Sequence, residues 1–246
     1  MDILVTGGAG FIGSHLSTRF VEQNTVYVLD SFTSGSRSKI PNKATIIKGD
    51  IRDDQVLSTA IDSVDIIFHE AALVSVQQSI QEPQTSHRIN VDATQALLEH
   101  ACNHNIRVVL ASSAAIYGHP DSVPIKENHP KKPLSPYGLE KLTIDHYARV
   151  YHKLYDLETV ALRYFNVYGP GQVAGDYSGV ISAFISQALS GEDITVHGTG
   201  EQTRDFVYIE DVVQANYEAA LTAGVGESYN IGSGESVTIR ELAELI

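Results

Sequence analysis

The stretch that most constrains this chain is its beginning. The apolar run Ile3-Leu4-Val5 leads directly into Thr6-Gly7-Gly8-Ala9-Gly10-Phe11-Ile12-Gly13. Gly7, Gly10 and Gly13 form a GxxGxxG pattern between a strand and a helix. In that setting the first glycine permits a tight turn and the second lets the backbone approach a pyrophosphate. The third lets the helix pack on the strand. The start of the helix, at Phe11 and Ile12, then presents free N–H groups to phosphate. A glycine pattern alone also serves as an ordinary turn; its position after a buried strand is what points to a dinucleotide. Asp30 strengthens that reading. It ends the second apolar run, where a carboxylate accepts from both adenosine ribose hydroxyls and repels a 2′-phosphate, which favours NAD over NADP. Its other reading is a strand-end turn acid.

The rest of the first two thirds has the same rhythm. Val26–Leu29, 45–47, 65–68 and 108–110 are nearly continuous apolar runs, as expected of strands buried on both faces of a parallel sheet. Between them the pattern predicts helices near 11–22, 53–61, 85–104 and 137–154. This order implies an α/β fold, a doubly wound parallel sheet of the Rossmann type. Gly49-Asp50-Ile51 ends the third strand, where Asp50 and Ile51 are placed to hold the adenine, although Asp50 also suits a helix cap. His69-Glu70-Ala71-Ala72 ends the fourth, with Ala71 and Ala72 leaving room for the cofactor. Beyond about residue 164 the rhythm changes. A helix over 179–190, short strands at 194–196 and 205–209, and a helix running to Ala223 suggest a smaller lobe. The expected division is 1–165 for the NAD-binding part with the catalytic residues, and 166–246 for the substrate lobe.

Charge and composition exclude some partners. Thirty acidic residues against seventeen Lys plus Arg give a formal charge of −13, the wrong sign for a general nucleic-acid surface. No run is apolar enough to span a bilayer. The single cysteine, Cys102, excludes an internal disulfide and suits a reducing cytoplasm. His100 and His104 have a spacing that a metal can use, but without a third ligand of convincing spacing they read as a solvated helix end.

Chemistry enters at Tyr137-Gly138-Leu139-Glu140-Lys141. Tyrosine and lysine at i and i+4 share one face of a helix begun by Ser135-Pro136. A free tyrosine, with a pKa of about 10, is a poor base at neutral pH. An ammonium nearby, together with the positive nicotinamide of NAD, favours the phenolate. The fifth strand ends in Ser112-Ser113, at the edge where such sheets bind ligands. Ser113, Tyr137 and Lys141 thus read as a proton-handling group beside a hydride acceptor.

Taken together, Gly7–Gly13, Asp30, Ser113, Tyr137, Lys141 and Leu162-Arg163-Tyr164-Phe165-Asn166 resemble the extended short-chain dehydrogenases/reductases, especially UDP-glucose (UDP-galactose) 4-epimerases. The resemblance implies that Tyr137 takes the proton of the sugar 4-hydroxyl while hydride passes from C4 to NAD. The 4-keto sugar turns over and hydride returns to its other face. It also implies that Lys141 holds the nicotinamide ribose and that Ser113 binds O4. Tyr164 and Asn90 match cofactor-side positions. Asn166, Val180, Ile181, His197 and Arg204, with the segment 177–181, match positions around the UDP part, and 119–134 matches a loop beside the sugar. Related 4,6-dehydratases carry Thr-Asp-Glu and decarboxylases Thr-Ser-Glu before Val/Ile-Tyr-Gly. This chain has Ser113-Ala114-Ala115, which leaves epimerisation at C4 of a UDP-sugar.

The resemblance further implies a homodimer paired through helices 85–104 and 137–154; ordinary core packing is the other reading of their extra apolar residues. Rival substrates are UDP-N-acetylglucosamine and UDP-glucuronate. A different class, a non-catalytic NAD-binding sensor or scaffold, is opposed by the retained Tyr137 and Lys141. Finally, Thr238-Ile239-Arg240-Glu241 opens a helix just before Ile246, so a further C-terminal segment, with an Arg and an Asp for UDP, is expected beyond it.

Overall fold

The computed structural model describes residues 1–172 and 179–246. Its main sheet is built from β1 (Asp2–Thr6), β2 (Thr25–Asp30), β3 (Thr45–Lys48), β4 (Ile66–His69), β5 (Arg107–Ser113), β6 (Thr159–Tyr164) and, far along the chain, β10 (Glu227–Ile231). Among the described residues these seven strands are all parallel, in the order β10-β6-β5-β4-β1-β2-β3. The order reverses between β1 and β4, and the crevice at that switch point opens at the carboxyl ends of the strands.

Both faces of the sheet are covered, which is why its strands are apolar throughout. On one face α1 (Phe11–Phe20) and α8 (Ile209–Leu221) pack over Val5, Val28, Phe68, Val109 and Leu162. On the other, α2 (Asp54–Ile61), α5 (Ala93–His104) and α6 (Pro136–Tyr155) cover Leu4, Leu29, Ile67, Leu110 and Ala161. Local chemistry sets the ends of these helices. Asp53 caps α2 by accepting from Gln55 and Val56 N–H at 3.0 and 3.3 Å. Ser135 caps α6 at Gly138 N–H, 3.0 Å, with Pro136 in the first turn. Asn105 and Asp156 close α5 and α6 in left-handed conformations.

Several expectations change. The helix expected over 85–104 is broken: α3 (Val76–Gln81) and α4 (Pro83–His87) come first, then a π turn at Arg88–Asp92 leads into α5. The turn swings Asn90 inward. β6 and β10, neither anticipated, extend the sheet on one side. The chain crosses the expected boundary at 165: α8 and β10 return to the main sheet. What stands apart from that sheet is β7 (Asn166–Tyr168) paired with β9 (Phe206–Tyr208), β8 (Thr203–Arg204) paired with β11 (Val237–Thr238), and the helices α7 (Val180–Leu189) and α9 (Ile239–Leu245). The strand expected at 194–196 does not form. Ile194 and Val196 instead pack as extended chain against Phe184, Ile239 and Leu242, a contact that needs no strand partner. The strand expected at 205–209 is shorter, because Ile209 already begins α8. The capping box at Thr238 and Glu241 is formed, with Glu241 N–H donating to Thr238 Oγ1 at 3.0 Å.

Candidate functional site

The carboxyl edge of the sheet carries a cradle of backbone. Gly7 adopts φ +67°, and a Cβ on it would lie 2.7 Å from Ala71 N. A Cβ on Gly13 would fall on the carbonyl of Gly7. Glycine is therefore required twice, once by conformation and once by close approach. Gly10 stands at the N-cap of α1 with no side chain capping that helix and no acid in its first turn. Its free N–H groups, at residues including Phe11 and Ile12, suit an anion. Asp30, buried at the end of β2, accepts from Ala9 N–H at 2.9 Å and from Phe32 N–H at 2.8 Å. Each of its oxygens keeps a further lone pair for a hydroxyl donor. The open cradle, the uncapped helix and the acid at the β2 end fit NAD.

Around this cradle the anticipated residues fall into three groups. Ala71 and Ala72 lie half-buried after β4, with the Ala71 backbone against Gly7. Asp50 and Ile51 are near the edge but engaged elsewhere. Arg52 holds the Asp50 carboxylate with bonds of 2.9 and 2.6 Å, which keeps it below the usual carboxylate range, while the Ile51 side chain is in the core. The cap of α2 is Asp53, not Asp50. Asn90 is 1% exposed, and its amide is committed: it accepts from Leu73 N–H at 2.8 Å and donates to Leu73 carbonyl at 3.0 Å and Glu140 at 2.7 Å. What it holds is the segment after β4.

Tyr137 and Lys141 project from α6 toward the end of β5. Lys141 Nζ donates to Ala111 carbonyl at 2.7 Å and lies 5.9 Å from the centre of the Tyr137 ring. Burial lowers Lys141 to about 8, partly offset by Glu70 and Glu140. Tyr137 is enclosed at the same place. Burial raises its pKa; the Ser113 hydroxyl facing it lowers it, and Glu140 and Glu70 raise it further. Within the chain alone, burial outweighs the Ser113 hydrogen bond at Tyr137. Ser113 Oγ accepts from Ala115 N–H at 3.2 Å and stays half-buried at the strand end.

Sequence reasoning missed two groups here. His69, at the end of β4, is buried, and burial followed by the Lys141 charge lowers its pKa to about 3. Its Nδ1 lies 2.7 Å from Thr6 Oγ1 and its Nε2 2.8 Å from Thr94 Oγ1. Thr94 donates its own proton to Asn90 carbonyl, so Nε2 carries the imidazole hydrogen. Glu70 is the second. Burial raises it to about 7, with Tyr164 and Lys141 opposing. It accepts from Tyr164 OH at 2.8 Å. The apolar strand and the alanines around these residues gave no hint of charge coupling, which is a tertiary property.

The substrate-side residues are dispersed. Asn166 donates to Asp205 carbonyl at 2.8 Å. Val180 and Ile181 pack on Phe184. His197 and Arg204 are exposed, and Arg204 Nη1 donates to the neighbouring Thr203 carbonyl at 2.8 Å. Residues 177 and 178 of the anticipated segment lie outside the described residues. The loop 119–134 is tied down by buried polar groups. Arg163 pairs with Asp145 through two bonds of 2.8 Å and reaches Tyr117 OH at 2.9 Å and Glu127 carbonyl at 3.1 Å. His100 and His104 serve packing: His100 bonds Asp54 at 2.8 Å and His104 the carbonyl of His100 at 2.9 Å.

A doubly wound sheet with this cradle and a Tyr–Lys pair at its edge defines an extended short-chain dehydrogenase/reductase. Residues 3–232 match the NAD dependent epimerase/dehydratase family, and the chain belongs to that family. It is an NAD-dependent enzyme. UDP-N-acetylglucosamine 4-epimerase from Methanobrevibacter ruminantium M1, solved with UDP-N-acetylmuramic acid, is 39% identical with a TM-score of 0.96, covering 99% of this chain and 80% of that one. UDP-glucose 4-epimerase from Thermotoga maritima, solved with UDP-glucose, is 36% identical with a TM-score of 0.96, covering 100% and 81%. UDP-glucose 4-epimerase from Thermus thermophilus, complexed with NAD, is 34% identical with a TM-score of 0.92, covering 99% and 81%. Among the described residues no helix is long and apolar enough to cross a membrane.

Proposed function

We propose that the protein inverts the C4 hydroxyl of a UDP-hexose, UDP-glucose or UDP-galactose, by transient oxidation to the 4-keto sugar. The observation that carries this is the grouping of Ser113, Tyr137 and Lys141 at the end of β5, followed by Ala114 and Ala115 where dehydration or decarboxylation needs carboxylates. Bound NAD supplies the hydride acceptor and a positive ring. Gly7, Gly10, Phe11, Ile12 and Gly13 hold its pyrophosphate, Asp30 its ribose, and Ala71, Ala72 and Tyr164 border it. Asp50 and Asn90 act through the backbone they fix. Ser113 binds O4 and passes its proton to Tyr137, while Lys141 orients the cofactor ribose and keeps the pair charged. Asn166, Val180, Ile181, His197 and Arg204 lie on the UDP side.

A second substrate reading, UDP-N-acetylglucosamine, is favoured by the likeness to the M. ruminantium epimerase. UDP-glucuronate is a third. Incubation with a panel of UDP-sugars, followed by separation and mass measurement of products, tests all of them. Inversion without mass change is expected with UDP-glucose. Loss of water or carbon dioxide would show that the two alanines had been misread, and absence of turnover with every sugar would favour an NAD-binding scaffold. The enzyme acts as a cytoplasmic homodimer in this reading, paired through α5 and α6. Leu139, Val150, Leu154 and Tyr155 of α6 are exposed and suit that role. A monomer mass in solution would remove the dimer from the proposal.

A further inference from the structure

Glu70 is a half-buried acid for which the reaction as proposed has no use. Its backbone N–H donates to Thr6 carbonyl at 3.2 Å, which fixes it at the end of β4. Its carboxylate accepts from Tyr164 OH at 2.8 Å. Tyr164 stands on β6, and β5 lies between β4 and β6. The Glu70–Tyr164 bond therefore bridges the carboxyl end of β5. Lys141 donates to Ala111 and Ser113 ends the strand at this same place. From α8, Asn216 donates to Tyr164 OH at 2.8 Å and to Val212 carbonyl at 2.9 Å. The phenol thus donates its single proton to Glu70.

We propose that Glu70 is a positioning residue: it holds the Tyr164 phenol across β5 and supplies the counter-charge that sets when Tyr137 yields its proton. The inference rests on Tyr137 being the base of the reaction. The titratable groups that interact with Glu70 are Lys141 and Tyr137 on α6 and Tyr164 on β6; from α8 the neutral Asn216 reaches the Tyr164 hydroxyl. A carboxylate in this group favours the Lys141 ammonium and disfavours the Tyr137 phenolate. Burial is the main reason that Tyr137 stands above its ordinary value in the chain alone, and the charges of Glu140 and Glu70 add to it. Glu70 titrates near 7, so it exchanges its proton within the working range.

The test is tyrosinate absorbance of the NAD-loaded protein against pH, with Tyr137→Phe in the same background as the blank. Glu70→Gln keeps an acceptor for Tyr164 but removes the charge. It should move the Tyr137 titration down by about one unit. Glu70→Asp, which keeps the charge, should restore most of the wild-type value. Tyr164→Phe removes a bond that favours the ionised carboxylate and should move the titration the same way by a smaller amount. If Glu70→Gln does not fold, the Tyr164→Phe shift decides. A residue that only supports the fold would lower melting temperature or NAD retention and leave the titration unmoved; an unmoved titration overturns the proposal. If the wild-type protein shows no signal above its Tyr137→Phe blank, the reading of Tyr137 as base falls and the Glu70 inference falls with it.

Discussion

The NAD cradle and the outlying lobe both use glycines in left-handed conformations, for different reasons. At Gly7 the φ of +67° comes with backbone pressed against it, the nearest atom 2.7 Å from a hypothetical Cβ. At Gly191 and Gly198, with φ of +69° and +75°, nothing lies within 4 Å of that position. The first kind of glycine is dictated by what passes close to it, the second merely by a turn. Polar groups divide in the same way. In the cradle His69, Lys141 and Asn90 are enclosed and bonded, whereas in the lobe His197 and Arg204 stand in solvent. Chemistry that needs fixed geometry sits where the backbone itself is crowded.

The largest effect should come from the centre of the crowded region. Tyr137→Phe keeps the ring and removes the acid–base group, so epimerisation should fall by about 10²-fold or more while NAD stays bound. Near-normal turnover would remove Tyr137 from the mechanism. Next, Gly7→Ala and Gly198→Ala put the same methyl group at two left-handed glycines. Each should lose roughly 1–2 kcal/mol of stability to conformation. Gly7→Ala alone should lose about 1–3 kcal/mol more to crowding. Denaturant unfolding should separate them, and equal losses would dissolve the contrast between cradle and lobe. Asp30→Ala removes a charged acceptor worth about 1.5–3 kcal/mol, which converts to roughly 10- to 100-fold weaker NAD binding by calorimetry. Unchanged affinity, or better binding of NADP by the wild type, would return Asp30 to the role of a turn acid.

The same contrast explains what could be read in advance. The glycine turn was legible because close approach restricts residue type at Gly7 and Gly13, and the i, i+4 spacing of Tyr137 and Lys141 set both on one face of α6. β6 was missed because Arg163 interrupts its apolar run, yet that arginine is buried and neutralised by Asp145 from α6. β10 was missed because Ser228 and Asn230, on the more buried side of Glu227–Ile231, are polar and are held by hydrogen bonds to Asp145 and with Tyr117 rather than by apolar burial. The break at Arg88–Asp92 is a π turn, which a period of 3.6 residues does not reveal. The charge coupling of Glu70 spans three strands and leaves no trace in local sequence. The lobe misled in the opposite sense: Ile194 and Val196 have strand character but find core contacts without a partner strand.

The smallest expected effect concerns pH, and it too should separate the regions. In the cradle His69 is lowered to about 3 and Glu70 raised to about 7. A base whose pKa is depressed by folding adds stability that is present above its unfolded value of 6.5 and is lost as pH falls toward 3. An acid whose pKa is raised by folding adds stability that is present below 4.5 and is lost as pH rises through 7. Between pH 4.5 and 6.5 the two oppose each other, so the melting temperature of the wild type should change little there. Glu70→Gln deletes the falling contribution, and its melting temperature should climb relative to wild type over that window, by about 2–4 °C for each kcal/mol released. In the lobe Glu241, held below its ordinary value by Thr238, contributes in the opposite direction and only as pH drops below 4.5. Glu241→Gln should therefore run parallel to wild type from pH 5 to 7. Melting curves at half-unit steps decide the matter. A Glu70→Gln curve parallel to wild type would mean that the acid titrates as an ordinary surface carboxylate, and the cradle would lose its claim to be electrostatically distinct from the lobe.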